Sequence, residues 1–232
     1  MITSRRFVNV LAAPLLVTAL ASCTSTSPAA SPAPAASAPA VSPSASRSPS
    51  PSAAVSAAEA GEQLKKHRAA GPAGAEYSAD NGVVDLAATV NVLLGSEAGA
   101  DDKADMKGRL TRAGFVVGLR HSWTAPDGSA ADTLLLRFSA DAGAESMAGA
   151  LAEGLKSSHP DTAFSNPGTR ATGVVLNTPD DKGKACVVQV APHGDAVVLM
   201  NYYTPATPDK KTAGLQFDNQ LGALPTPGLP WQ

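Results

Sequence analysis

Between Thr24 and Ala58 the chain offers almost nothing to bury. Those 35 residues are Ala, Ser, Pro and Thr, with one charge, Arg47, and two larger apolar residues, Val41 and Val55. Such a stretch cannot offset its ordering entropy by burying surface, so residues 23–58 are expected to be a disordered linker. Pro28, Pro32, Pro34, Pro39, Pro43, Pro49 and Pro51 favour extended polyproline II segments. Fully extended, the linker reaches roughly 100 Å at about 3.1 Å per residue. It suits a spacer, and its Ser/Thr/Pro content is open to O-glycosylation. Any hydrophobic core must therefore come from residues 59–232, expected as a single domain. A piece of that size buries on the order of two-thirds of its unfolded surface.

Ahead of the linker, residues 1–22 have the layout of an export signal. Arg5 and Arg6 form a short positive region, and Val8 to Ala21 is mostly apolar. The run is shorter than the ~20 apolar residues a spanning helix needs, and Asn9 and Pro14 interrupt it. It ends on Leu20-Ala21-Ser22-Cys23. That quartet resembles the lipobox of bacterial lipoproteins. The resemblance implies that Cys23 receives a diacylglyceryl thioether, that the signal is cleaved before it, and that the new amino group is open to acylation. Two or more acyl chains suffice for stable anchoring, each buried methylene contributing about 0.8 kcal/mol. The expected location is extracytoplasmic, lipid-anchored to the cell membrane. Ser4-Arg5-Arg6-Phe7 partly resembles a twin-arginine signal, but the position of Phe7 departs from that pattern and leaves the export route open.

The full chain has 232 residues, 18 basic and 20 acidic. Loss of Arg5 and Arg6 with the signal leaves 16 basic against 20 acidic, a charge of −4. That balance argues against a nucleic-acid partner, which needs clustered Lys and Arg. There are two cysteines. With Cys23 acylated, no intramolecular disulfide is expected, and stability rests on the core alone.

Hydrophobic period then divides residues 59–232 into a helical lead-in, 59–113, and a sheet–helix core, 114–224. Ser56 to Ala70 reads as a helix polar nearly all round, with Leu64 its one large apolar residue, and is expected to pack weakly. Val83, Leu86, Ala87, Val90, Leu93 and Leu94 recur at helical spacing, although the β-branched residues leave a strand open. Asp101 to Ala113 predicts another helix, stopped by Gly114. At Phe115 the period becomes two: Phe115, Val117, Leu119, His121 and Trp123 share one face of a half-buried strand. Ala125-Pro126-Asp127-Gly128 turns it into a second strand, Thr133 to Phe138. A helix capped by Asp141 follows, with Ala144, Met147, Ala148, Leu151, Ala152 and Leu155 inward. Three more strands are predicted at 172–177, 185–191 and 196–203. A last helix has Thr207-Pro208 at its start and Ala213, Phe217, Leu221 and Leu224 as its stripe. This order predicts an α+β fold, an antiparallel sheet of about five strands with helices packed on it.

From Gly114 to Leu221 the chain resembles uncharacterised surface lipoproteins of actinobacteria. Gly114-Phe115 before a tryptophan strand, Phe138-Ser139-Ala140 before an Ala-rich helix, and Gly194-Asp195-Ala196-Val197-Val198 before the final helix carry the resemblance. The arrangement also looks like PsbP-like domains. Neither resemblance brings a settled activity.

Motifs for chemistry are sparse. Cys186 sits among valines, where a cysteine behaves as a small buried hydrophobe. His67, His121, His159 and His193 lack metal-ligand spacing. His193, in a turn, is read as solvated, and His121 as a satisfied, semi-buried histidine. Asp101-Asp102 and Asp180-Asp181 read as solvated acids. No Gly-x-Ser-x-Gly or phosphate-binding glycine loop is present. No catalytic residue, metal or cofactor is expected. His121, Trp123, Leu151, Leu155, Tyr202 and Phe217 read first as core, with an apolar pocket between sheet and helix as the alternative. Trp231 is either frayed or folded back. The expected role is a non-enzymatic binding module of unknown ligand or partner, such as an envelope protein, at the membrane through lipidated Cys23. The alternatives are a carrier of a small apolar ligand or lipid, with Val198 also in its cavity, and a hydrolase built on His121, Cys186 or an acid pair.

Overall fold

The computed structural model describes residues 55–179, 183–205 and 207–232. The signal, Cys23, nearly all of the linker, and Asp180, Asp181 and Lys182 lie outside them. In chain order the elements are α1 (Ala57–Lys66), β1 (Glu76–Tyr77), β2 (Gly82–Val84), α2 (Leu86–Leu94), α3 (Ala100–Arg112), β3 (Phe115–Thr124) and β4 (Ala130–Phe138). Then come α4 (Asp141–Ser158), a 3-10 turn at Pro160–Thr162, β5 (Ala163–Asn166), β6 (Ala171–Leu176), β7 (Lys184–His193), β8 (Ala196–Pro205) and α5 (Lys210–Ala223).

The strands form one sheet in the order β1-β3-β4-β8-β7-β6-β5, with β2 also paired to β3. Every pairing is antiparallel. The α+β class and antiparallel sheet agree with the sequence. The strand number does not: eight are present among the described residues rather than about five. The additional ones, β1, β2 and β5, have two, three and four residues. Strands that short carry no readable alternation.

Topology follows from one hairpin, one long crossover and a four-stranded meander. The Ala125–Gly128 turn joins β3 to β4, with Asp127 Oδ1 accepting from the Ser129 amide (2.9 Å). Helix α4 then carries the chain to the far edge. Its 18 residues span about 27 Å. The four strand spacings from β4 to β5 need about 19 Å. From β5 the chain meanders back until β8 pairs with β4.

Both faces of the sheet are covered. Helices α2, α3 and α4 pack on one through Val90, Leu93, Leu110, Met147, Leu151 and Leu155, against Leu134, Leu136, Val188 and Leu199. Helices α1 and α5 pack on the other through Leu64, Ala213, Phe217 and Leu221, against Leu119, Leu135, Val187 and Val198. Burial on two faces explains why all nine residues of β4 are buried. It also corrects the expected half-buried β3. A β-bulge between Phe115 and Val117 breaks that strand's alternation. Phe115 joins the α4 side, edge-on to Phe138, while Val117 faces α1 and α5.

Three helix expectations need correction. Helix α1 docks firmly, because Ala60, Gly61 and Leu64 are all buried. Its contact surface is made of small residues, and a Cβ on Gly61 would stand 3.0 Å from Val83. In α4, Asp141 is the first helical residue rather than the cap; Ala140 stands at the cap position without a side-chain hydrogen bond. In α5 the cap is Asp209, which accepts from the Thr212 amide (2.9 Å), so Thr207 and Pro208 lie outside the helix.

Candidate functional site

The six residues of the alternative pocket reading are divided by the sheet. Leu151 and Leu155 belong to the α2–α3–α4 core. Trp123, Tyr202 and Phe217 belong to the α1–α5 core, where Trp123 stands edge-on to Tyr202 at 6.2 Å. Val198 lies with Phe217, and so on the far side of the sheet from Leu151. His121 and Cys186 likewise do not converge. Cys186 is buried in the α4-side core, and His121 stacks on Tyr77 (5.3 Å) beside the α1–β1 connection. Asp101 and Asp102 are exposed in the first turn of α3.

His121 differs from its expected state. It is buried, and neither ring nitrogen has a hydrogen-bond partner. Burial pushes its pKa below the ordinary 6.5; the Arg68 charge pushes the same way and the Ala69 backbone opposes.

One polar cluster lies on the α4 side. Ser122, Asp132 and Asn201 stand side by side across β3, β4 and β8. Arg120 reaches Asp132 through Nη2 (2.9 Å) and Nε (3.2 Å), and the Ser122 hydroxyl donates to the same carboxylate. Burial lowers the guanidinium pKa, but Asp132, Asp80 and Tyr203 together outweigh it, and the net direction is up. Asn81 pairs with the backbone of Ser122 from the gap between β1 and β2 (2.7 and 2.9 Å).

Two open clefts flank the start of α4. The larger, about 540 Å³, lies between α3 and α4 and is lined by Arg109, Arg112, Ser139, Gly143 and Ser146. Gly143 sets its floor, since a Cβ there would meet the Ala113 carbonyl at 1.9 Å. Arg109 is already paired with Asp105 (2.7 Å), and Asp141 supplies negative charge at the helix start. The smaller cleft, about 370 Å³, is lined by Glu145, Arg170, His193, Gly194, Leu221 and Pro227. Arg170 there holds a left-handed backbone (φ 56°) and pairs with Glu145 (3.0 Å).

The most fully built polar site is on the α1–α5 side, and Trp231 occupies it. The indole Nε1 donates to Asp195 Oδ1 (2.8 Å). The Arg137 guanidinium lies 4.4 Å from the centre of the ring. His67 meets the ring edge-on at 5.3 Å, and Gln63 Nε2 donates to the Trp231 carbonyl (3.3 Å). The holders also bind one another: Arg137 donates through Nε to Asp195 Oδ2 (3.2 Å) and through Nη1 to Gln63. Further support comes from α5, where Gln220 accepts from the Ala69 amide (2.9 Å) and donates to the His67 carbonyl (3.0 Å). His67 Nδ1 donates to the Ala223 carbonyl (2.8 Å). A cation over an aromatic face contributes about 0.5–2 kcal/mol, more as water is excluded. Trp231 is thus folded back. His193, expected in solvent, is half-buried and donates to the Pro225 carbonyl (2.9 Å).

Four of these holders, Gln63, His67, Arg137 and Asp195, were not predicted as site residues. The available signal was Arg137, a charge directly after three leucines in β4.

No family model matches the chain, and no curated protein matches it in sequence. Among solved structures it is similar to the extracellular domain of PknH from Mycobacterium tuberculosis. That likeness has 12% identity, a TM-score of 0.43, and covers 72% of this chain and 90% of the other. At that level it carries no argument about fold or role.

Proposed function

We propose that the protein is a lipid-anchored, extracytoplasmic binding module. Cys23 carries the acyl anchor, the Ala/Ser/Pro linker is the tether, and the sheet with its helices is the displayed domain. The observation that carries this reading is the Leu20-Ala21-Ser22-Cys23 quartet at the end of an apolar run, followed at once by the linker. The described fold is compatible with it: no described helix is long and apolar enough to cross a membrane. Binding, rather than chemistry, is the activity assigned to the domain. Its support is the Trp231 site, where charge, amide and ring edge converge on one aromatic side chain.

Detergent-phase partitioning of wild type and Cys23→Ala in the producing cells tests the anchor. Wild type is expected in the detergent phase at its cleaved mass, and the variant either released or uncleaved. A variant that is cleaved normally and still partitions into detergent overturns the reading.

A further inference from the structure

We infer that the Gln63–His67–Arg137–Asp195 site recognises a proline-preceded tryptophan in an extended peptide, and that Trp231 is its exchangeable occupant in cis. The inference rests on the reading of the domain as a binding module and names what it binds.

The holders form their own network without the indole. Arg137 keeps Asp195 and Gln63 as partners, and His67 keeps Ala223. The site therefore survives loss of its occupant with little rearrangement, which lowers the cost of binding a replacement. Its chemistry is selective. The Asp195 carboxylate and Arg137 guanidinium neutralise each other, so a charged side chain gains little. A neutral indole satisfies two demands at once, a donor for Asp195 and a face for Arg137, while the main-chain carbonyl of the same residue accepts from Gln63. Phenylalanine lacks the donor. Pro230, immediately before Trp231, fixes an extended approach.

The cis segment is attached at two points with little between them. Pro225 is held by His193, Trp231 by the site, and residues 226–230 are all exposed. A bridge of five exposed residues opens locally without disturbing the core. While closed it competes at about millimolar effective concentration. Only a ligand that binds well, or is itself presented at high local concentration, then displaces it. The same Pro-Trp chemistry is available from a second copy of this chain or from another protein.

The test uses the full domain and a fluorescently labelled peptide of residues 224–232. Trp231→Ala empties the site and should bind the peptide. Wild type should bind it more weakly because the cis segment competes, about 10-fold for a peptide Kd of about 0.1 mM and about 2-fold for a Kd of about 1 mM. A peptide with Ala in place of its tryptophan should not bind either protein. If Trp231→Ala loses its fold, Trp231→Phe takes its place, keeping the stack and losing the Asp195 bond. A folded variant that fails to bind at millimolar peptide overturns the inference, as does equal binding by wild type. Neither result touches the anchoring test. Sedimentation then separates the sources once binding is seen. A concentration-dependent wild-type dimer that disappears in Trp231→Ala names a second copy, and a monomer names another protein.

Discussion

On the α2–α3–α4 side, helices meet the sheet through aliphatic side chains, and the charged pair in that layer, Arg120 with Asp132, lies within the strands themselves. On the α1–α5 side, the helices are also stitched down by amides. Gln189 in β7 donates to the Ala213 carbonyl of α5 (3.1 Å), and Gln220 bridges α5 to the backbone after α1. Both amides are buried. The first side is a layer whose cost of disruption is set by volume and by one desolvated charge. The second is a layer whose geometry is set by hydrogen bonds, and it is there that an exchangeable segment docks. Directional bonds between few partners hold a binding surface in place without demanding that everything around it be packed tight.

The contrast can be broken most forcefully at Asp132. Asp132→Ala takes the buried carboxylate away from the half-buried Arg120 guanidinium and the Ser122 hydroxyl and is expected to cost about 3–5 kcal/mol. The measurement is a shift in denaturant midpoint at unchanged slope, and a cost below about 1 kcal/mol would remove the pair from any account of this layer. Leu151→Ala, in the middle of the α4 stripe, should cost about 3 kcal/mol through lost burial and a residual cavity. Gln220→Ala sharpens the other side. It strands the Ala69 amide and His67 carbonyl, and about 1–3 kcal/mol is expected. It should also weaken peptide binding to Trp231→Ala, whereas Leu151→Ala should not.

The last test is titration of His121. In the fold its pKa lies below the ordinary 6.5, so the unfolded chain takes up the proton first. Its contribution is therefore complete above about pH 6.5 and is lost as pH falls from there toward the folded value. Melting between pH 7 and 5 should show the loss, and His121→Phe should flatten it. An unchanged slope in that variant would place the pH sensitivity elsewhere.

Much of the α4 side was legible in the sequence because volume leaves a periodic trace. Ala144, Met147, Leu151 and Leu155 repeat at helical spacing, and Leu134, Leu136 and Phe138 alternate; both patterns stand in the structure. The α1–α5 side was harder to read. Helix α1 buries mostly small residues, which carry no strong apolar signal. Strands β1, β2 and β5 are edge pieces defined by their partner rather than by their own pattern. The bulge at Phe115 shifts one aromatic residue to the opposite face, and periodicity assumes no such insertion. Trp231 stood out in the sequence, but its holders do not: positions 63 and 67 come from α1 and its C-cap, 137 from β4, and 195 from the turn between β7 and β8. Only the pairing of β4 with β8, and the docking of α1 across β3, brings them together.

That same β4–β8 pairing has a bearing on how the chain reaches its fold. The paired residues run from Arg137 with Ala196 to Ala130 with Tyr203, 59 to 73 positions apart. The β3–β4 hairpin closes over a short turn, a local contact with little loop entropy to overcome. The most buried strand of the sheet then presents an unpaired edge until α4 and the whole returning meander are in place. Long-range antiparallel closure of this kind is slow, and apolar strands waiting for it are open to association with other chains.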